Sequence, residues 1–334
     1  MVRTAMGRGM PGAQPAASIE ECNDDMRTII PDYGTGETSA TPLAPVNMSE
    51  SNQQVARPTV GQRSRALPRE LIQLDRTPEN KLGEGGVGVV WYGHYQGQEV
   101  AIKELRAEAS DKLRMFLLQE MAIQSTLSHA NIVKVIGMSV EGESMLLVQE
   151  YCPLRSLKDV LGSHLRTQLK NDWSLRKRFA LDGALGMAYL HSKNVLHLDI
   201  KTLNFMVTED LRVKVGDFGI STVLQQDATS TVHSKGWTVR YVAPEVMMGQ
   251  SFGKPADVYS YSMVLYELFA MKVPWSDFRG PKEALLGMIA AGKRPPVPRS
   301  LPQSHRNILQ RCWAHDPKQR CTFPELVQML ENLQ

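Results

Sequence analysis

The stretch His197-Leu-Asp-Ile-Lys-Thr-Leu-Asn204 brings a carboxylate, an ammonium and an amide close together in the chain. It follows a helical run and the strand-like pair Val195-Leu196. Thirteen residues beyond Asn204 comes Asp217-Phe-Gly219, preceded by the apolar run Val213-Lys-Val215. Asn204 and Asp217 both carry hard oxygen donors of the kind that suits Mg²⁺. A further motif, Ala243-Pro-Glu245, stands 26 residues beyond Asp217.

Upstream of this region, Gly83-Glu-Gly-Gly-Val-Gly-Val-Val90 fits the pattern G-x-G-x-x-G-x-V. A dinucleotide-binding turn would continue directly into a helix. Here β-branched and aromatic residues follow instead, which predicts the tip of a β-hairpin. A Walker A loop would end in Gly-Lys-Ser/Thr, and this one does not. Two interpretations of the pattern remain: a hairpin that covers a phosphate group, or a plain turn.

Lys103 and Glu120 favour the phosphate site over the plain turn. Lys103 ends the apolar run Val100-Ala-Ile102, where an ammonium is poorly solvated without an anionic partner. Seventeen residues later, Glu120 lies in an amphipathic stretch at 110–127. A lysine on a strand and a glutamate on the packing helix can form an ion pair that aims the ammonium at phosphate oxygens.

Hydrophobic periodicity separates a strand-rich part of the chain from a helical part. The α+β fold class follows, with a small sheet lobe and a larger helical lobe. The predicted strands lie at 81–82, 89–92, 100–102, 132–136 and 145–148, and the helices at 110–127, 173–192, 256–271, 281–291, 302–313 and 323–333.

In this order and spacing the motifs resemble those of a eukaryotic protein kinase, and the match covers about 79–330. The resemblance implies the bilobal kinase fold, with an N-lobe at about 76–150 and a C-lobe at about 153–334. Trp313 and the stretch Asp316-Pro317…Arg320 resemble those of tyrosine kinase-like kinases and tyrosine kinases. The chain is therefore interpreted as a tyrosine kinase-like (TKL) Ser/Thr kinase.

The resemblance also implies a role for each motif residue. Asp199 would be the catalytic base, and Lys201 would stabilise the moving γ-phosphoryl group. Lys103, paired with Glu120, would hold the α- and β-phosphates, and Asn204 and Asp217 would hold Mg²⁺, with Mn²⁺ as the alternative ion. ATP would be bound by Gly83, Gly85, Gly88, Val90, Ala101, Lys103, the gatekeeper Gln149, and the hinge residues Glu150 and Cys152.

Two further pairs of interpretations concern the helical lobe. Asp257 is interpreted as an ordinary helix N-cap and, by resemblance, as a brace for the backbone around Asp199, two roles that are compatible. Glu245 and Arg320 resemble a buried pair that ties the end of the activation segment to the C-lobe.

Substrate specificity follows from Lys201 and Thr238. Lys201 lies two residues after Asp199, as in Ser/Thr kinases, and Thr238 lies five residues before Ala243, which also matches the Ser/Thr pattern. The alternatives are tyrosine specificity, or an ATP-binding pseudokinase that acts as a scaffold.

Several positions depart from the family pattern. Leu198 replaces an arginine that docks activation-loop phosphates, so we expect loop phosphorylation to matter less here. Gln124 stands at a usually apolar position, where a polar group is costly unless hydrogen-bonded. Val87 and Trp237 replace residues that are commonly aromatic and glycine, respectively.

Residues 1–75 differ sharply in composition from the rest of the chain. They hold one aromatic residue, Tyr33, and no lysine. Their net charge is −2, and because the whole chain has a net charge of +3, the remaining residues carry +5. We predict a disordered tail at 1–66, a lead-in at 67–75 and the kinase domain at 76–334.

The same composition limits the classes of partner and location. Near-neutral charge argues against a nucleic-acid partner. The four cysteines show neither disulfide-framework nor zinc spacing. No apolar run is long enough for a membrane span. We therefore expect a cytoplasmic signalling kinase that phosphorylates proteins, with regulatory partners bound through the tail.

Overall fold

The computed structural model describes residues 66–84, 88–105, 118, 124–141, 144–217, 222–223 and 239–333. The predicted disordered tail and most of the predicted helix at 110–127 lie outside these ranges. Within them the chain forms a strand-rich lobe followed by a helical lobe, so the α+β prediction is confirmed.

An antiparallel sheet of six strands builds the N-terminal lobe. The strands are β1 (Ile72–Gln73), β2 (Lys81–Glu84), β3 (Gly88–Tyr95), β4 (Gln98–Leu105), β5 (Val135–Glu141) and β6 (Ser144–Glu150). Strand β3 pairs with both β1 and β2, and the order continues β3-β4-β6-β5. Gln96 and Gly97, both with positive φ, turn β3 back into β4, as a two-residue hairpin turn requires.

The alternation of side chains along β4 gives the sheet two distinct faces. Val100 and Ile102 are fully buried in an apolar cluster with Leu146 and Val148. Because neighbouring residues on a strand point to opposite faces, Ala101 and Lys103 are directed away from that cluster. The lead-in contributes to the same cluster, since the buried Leu67 and Ile72 belong to it.

Eight described helices make up most of the C-terminal lobe. The helices are α1 (Leu157–Gly162), α2 (Leu165–Asn171), α3 (Trp173–Ser192), α4 (Pro244–Met247), α5 (Lys254–Ala270), α6 (Lys282–Ala290), α7 (Gln303–Cys312) and α8 (Phe323–Glu331). The central helix is α5, in which every residue from Ala256 to Phe269 is buried, as expected of a helix surrounded by other elements.

Two small antiparallel sheets carry the segments that contain the polar motifs. Strand β8 (Phe205–Val207) pairs with β9 (Val213–Val215), and β7 (Val195–Leu196) pairs with β10 (Thr222–Val223). The segment from Leu196 to Phe205 is therefore anchored by strands at both ends.

The predicted strand at 132–136 was wrong in its first half. Ile132 and Val133 lie against β9 instead, with the Val133 N–H donating to the Val215 carbonyl at 2.9 Å, and β5 begins only at Val135. The first residues of this apolar run thus pack against β9, and the later ones belong to the sheet of the N-terminal lobe. The described part of the chain contains no helix that is long and apolar enough to cross a membrane.

Candidate active site

Lys103 of β4 reaches across to the segment that follows β9. It is buried, and its Nζ donates to Asp217 Oδ1 at 3.0 Å. The positive charge of Lys103 is the main reason that the pKa of Asp217 lies below its ordinary value. Asp217 therefore remains an anion at neutral pH, although nearly half of its side chain is exposed. A cation from one lobe and an anion from the other thus meet at one point.

Asp199 is held by two neighbours from its own loop. Lys201 Nζ donates to Asp199 Oδ2 at 2.8 Å, and Asn204 Nδ2 donates to the same oxygen at 3.0 Å. Asn204 Nδ2 also contacts the backbone carbonyl of Asp199 at 2.7 Å. The carboxylate is fixed in orientation by these donors, and the loop that carries it is closed on itself.

Asp257 braces the backbone of this loop from below. Its Oδ2 accepts hydrogen bonds from the His197 N–H and from His191 Nε2, and its Oδ1 accepts from the Leu198 N–H, all at 2.9 Å. Burial raises the pKa of Asp257, but the interactions with His191 and His197 together outweigh this and lower it. The N-cap interpretation of Asp257 was wrong, because α5 begins at Lys254 with Gly253 as its N-cap.

His197 connects the Asp199 loop to the Asp217 segment, a link that the sequence analysis missed. The Asp199 N–H donates to His197 Nδ1 at 3.3 Å, which makes Nδ1 an acceptor. The proton then sits on Nε2, which donates to the Gly216 carbonyl at 3.0 Å. The Gly216 N–H in turn donates to the Asn204 carbonyl at 2.9 Å. These contacts set the spacing between the two carboxylates.

Asn204 and Asp217 fit the chemistry of a divalent hard cation. Because the amide nitrogen of Asn204 is engaged by Asp199, its amide oxygen is the atom that can coordinate a metal. Asp217 adds an ionised and partly exposed carboxylate. Oxygen donors of this type suit Mg²⁺, which retains several waters and phosphate oxygens in its shell.

Comparison with known proteins decides the family. The sequence profile described as protein tyrosine and serine/threonine kinase matches residues 77–330, about three quarters of the chain. The chain belongs to the protein kinase family. It is a eukaryotic kinase of the tyrosine kinase-like type, as the resemblance of its motifs implied.

Individual relatives agree with this assignment. The chain is 36% identical over 282 residues to the probable serine/threonine-protein kinase drkD of Dictyostelium discoideum, covering 80% of this chain and 21% of that protein. It is 35% identical over 259 residues to the serine/threonine-protein kinase STY17 of Arabidopsis thaliana, covering 76% and 44%. The dual specificity protein kinase shkD of Dictyostelium discoideum is 34% identical over 275 residues, covering 80% and 36%. The chain thus spans less than half the length of these relatives.

The segment joining the kinase lobes begins at the end of β6. Glu150 Oε1 accepts from Lys214 Nζ of β9 at 2.5 Å, and Glu150 Oε2 accepts from the Lys134 N–H at 3.2 Å. Burial, aided by the Glu150 carboxylate, raises the pKa of Cys152 to about 12, so its thiol is neutral. Gln149 lies opposite Ala101 in the β4–β6 register.

The glycine-rich stretch of the kinase is a hairpin, as its sequence predicted. Gly83 lies opposite Val90 in the β2–β3 register. Gly88 has a structural reason to be glycine, because a Cβ there would lie 2.0 Å from the Glu104 carbonyl oxygen of β4. The tip, including Gly85, lies outside the described residues.

Other predicted positions of the kinase also lie outside the described residues. These are Glu120, the predicted partner of Lys103, the motif residues Phe218 and Gly219, the departures Val87 and Trp237, and Thr238. The Ser and Thr residues of the loop in which phosphorylation is expected to matter less, Ser221, Thr229, Ser230, Thr231 and Ser234, also lie there.

Gln124 is described, and its burial is partly compensated. Its Nε2 donates to the Val133 carbonyl at 3.2 Å, while its Oε1 has no hydrogen-bond partner among the described residues. A buried oxygen without a partner carries an energetic cost.

The buried pair predicted from Glu245 and Arg320 is present. Arg320 Nη1 and Nη2 donate to the two carboxylate oxygens of Glu245 at 2.6 and 2.9 Å. Arg320 also donates to the carbonyls of Pro255 and Ala314, and its guanidinium lies 5.0 Å from the ring centre of Tyr259. The pair ties α4 to the segment that precedes α8.

A second buried cluster beneath the loop had no signal in the sequence. Glu267 of α5 accepts hydrogen bonds from the Tyr241 hydroxyl and, at 3.3 Å, from the Thr202 hydroxyl. Burial raises the pKa of Glu267 to about 7. Thr202 directly follows Lys201, so this cluster supports the Asp199 loop from a second direction. The three residues are far apart in the chain, and only the fold brings them together.

Proposed function

We propose that this chain transfers the γ-phosphoryl group of ATP to the hydroxyl groups of serine and threonine in protein substrates, as part of intracellular signalling. The proposal rests mainly on the arrangement around Asp199. Lys201 and Asn204 hold the Asp199 carboxylate. Next to it lies the segment that carries Asp217, which binds Lys103 of β4. Phosphoryl transfer depends mainly on positioning and charge stabilisation, and these groups supply both.

The proposed roles are those that the resemblance to protein kinases implies, and the contacts of each side chain support them. Asp199 orients the substrate hydroxyl and accepts its proton. Lys201, which shares a contact with that carboxylate, stabilises charge on the moving phosphoryl group. Lys103, with Glu120 as its proposed second partner, holds the α- and β-phosphates. The common effect of Lys103 and Lys201 is to offset the negative charge of the phosphates before the reaction.

The nucleotide base is proposed to lie between the sheet and the interlobe segment. Val90 and Ala101 lie on neighbouring strands, with Ala101 opposite Gln149. The backbone of Glu150 and Cys152 would bind the adenine edge. The glycines at 83, 85 and 88 would cover the phosphates.

Asn204 and Asp217 are proposed to hold Mg²⁺, with Mn²⁺ as the alternative ion. When bound, the ion neutralises phosphate charge and fixes the geometry of the phosphates. Transfer rates should fall to background with a chelator and recover further with Mg²⁺ than with Mn²⁺ at equal concentration. Higher recovery with Mn²⁺ would overturn the choice of ion.

Serine/threonine specificity rests on Lys201, whose Nζ contacts the Asp199 carboxylate. Radiolabelled transfer from ATP to a degenerate peptide library, followed by phosphoamino-acid analysis, tests it. Phosphoserine and phosphothreonine are expected. Predominant phosphotyrosine would contradict the proposal, and ATP binding without any transfer would favour the pseudokinase or scaffold alternative.

We also propose a cytoplasmic location, and regulatory partners that bind through residues 1–66. Deleting this segment should leave peptide phosphorylation unchanged and remove the partners that co-purify with the full chain. Retention of all partners by the shortened chain would contradict the second part. Recovery of the protein in the membrane fraction would contradict the first.

A further inference from the structure

Two buried cysteines meet in the C-terminal lobe, away from the site described above. Cys312 is the last residue of α7, and Cys321 lies just before Thr322, the N-cap of α8. Their sulfur atoms are 3.4 Å apart, close enough for the S–H of one to contact the other. Nothing in the sequence pairs them, since they are nine residues apart and form no recognised motif.

We propose that Cys312 and Cys321 are a modification site, at which hydrogen peroxide forms a reversible intramolecular disulfide. The sulfurs must approach by little more than 1 Å to reach the bond length of about 2.05 Å. Helix α7 ends at Cys312, and α8 begins two residues after Cys321. The required movement therefore involves only the ends of these helices and the segment that connects them.

The environment distinguishes the two thiols. The hydrogen bond from Cys312 lowers the pKa of Cys321, while the same contact raises the pKa of Cys312. Cys321 also lies near the N-terminal end of α8, where the helix dipole favours an anion, and Cys312 lies at the C-terminal end of α7, where it does not. Cys321 is therefore the first thiol to react.

The chemistry balances with one molecule of peroxide. The Cys321 thiolate attacks one peroxide oxygen, the O–O bond breaks, and a sulfenic acid and one water form. The Cys312 sulfur then attacks the Cys321 sulfur and displaces the hydroxyl group as a second water. Two thiols are oxidised by two electrons in total, and the peroxide is reduced to two waters.

The middle of the segment between the two cysteines is exposed, and its local opening would admit a small oxidant to the buried sulfurs. His315, Asp316, Lys318 and Gln319 are exposed, so this segment lies at the surface and can open locally. The same segment carries Arg320, whose guanidinium binds Glu245. The disulfide would close the loop that holds this arginine in place.

Peptide mapping of the native full chain tests the proposal without any measurement of kinase activity. The protein is treated with hydrogen peroxide, blocked with N-ethylmaleimide, and digested with trypsin without reduction. Cleavage after Arg311, Lys318 and Arg320 separates the two cysteines into different peptides. We expect residues 312–318 linked to residues 321–334 as the main disulfide product, lost on treatment with dithiothreitol.

Variants make the test specific. Cys321→Ser should abolish the linked product, and the control Cys22→Ser should leave it unchanged. In Cys312→Ser, the sulfenic acid trap dimedone should label Cys321. Recovery of Cys312 and Cys321 as separately blocked peptides from the oxidised native protein, or linkage of either to Cys152 or Cys22, would overturn the proposal. Dimedone labelling of Cys312 in Cys321→Ser, with none of Cys321 in Cys312→Ser, would overturn the order of reaction.

Discussion

At the scale of single residues, the backbone around Asp199 is held in a conformation that it would not adopt alone. Leu198 has φ +65°, in the left-handed region that leucine disfavours. The Asp257 carboxylate holds it there through the N–H groups of His197 and Leu198. A sequence can suggest such a contact only through a family resemblance, because the residues are about sixty positions apart.

Replacement of Asp257 with alanine therefore has a specific expected result. It leaves the N–H groups of His197 and Leu198, and the His191 ring, without their acceptor, which costs about 3 kcal/mol or more of unfolding free energy. Transfer activity should fall further than stability explains, because Leu198 is no longer held. Denaturant unfolding and transfer rates measure both effects, with the exposed Asp277→Ala as the matched control. Equal behaviour of the two variants would contradict this account.

Glu267 gives stability a predictable dependence on pH. Its folded pKa of about 7 exceeds the ordinary 4.5, so between these values the native state keeps a proton that the unfolded chain has released. Unfolding free energy should therefore fall as pH rises through this window, by about 3 kcal/mol in total. Glu267→Gln should remove this fall. Parallel pH profiles of the two proteins, measured by urea unfolding, would show that the assignment is wrong.

At the scale of elements, the long helices were predictable and the short ones were not. The run 173–192 coincides with α3, because a long apolar period gives a clear signal. Helices α1 and α2, of six and seven residues, are too short for that signal. The Ser156 and Asp159 capping box that begins α1 was the local signal that could have found it.

The Arg320–Glu245 pair is a buried, two-point ionic contact between elements. Arg320→Met leaves the Glu245 carboxylate buried and unpaired, which should cost about 3–5 kcal/mol. The double variant Arg320→Met/Glu245→Gln should lose clearly less, because no buried charge remains. Chemical denaturation of the wild type, both single variants and the double variant gives the coupling energy. A double variant as unstable as the sum of the singles would contradict a direct ion pair.

At the scale of the whole molecule, the N-terminal boundary of the folded part is testable. The Leu67 N–H donates to the Met138 carbonyl at 2.7 Å, and the side chains of Leu67 and Ile72 are buried. A chain of residues 66–334 should unfold at the same temperature as the full chain. A chain of residues 76–334 should lose about 3 kcal/mol or more, from two buried aliphatic side chains. Equal stability of the two shortened chains would show that the lead-in contributes nothing.

The family assignment and the Asp199 motif could be predicted from the sequence, because the residues within each motif are only a few positions apart and their spacing is fixed. The contacts that support the motif did not, because His197–Gly216, Tyr241–Glu267 and Cys312–Cys321 depend on how separate elements pack. Gly88 illustrates the same limit. The glycine pattern in the sequence predicted a phosphate site, but only the fold shows that the Gly88 backbone packs too closely against β4 to leave room for a Cβ.

The central claim, that Asp199 acts on the substrate hydroxyl during phosphoryl transfer and not on nucleotide affinity, is tested by one comparison. Phosphate transfer from radiolabelled ATP and ATP affinity are measured for the wild type, Asp199→Asn and the exposed control Asp210→Asn. We expect Asp199→Asn to lower the transfer rate by roughly 100-fold or more while ATP affinity changes by less than about threefold. The control should match the wild type in both. Equal transfer by the wild type and Asp199→Asn would contradict the account.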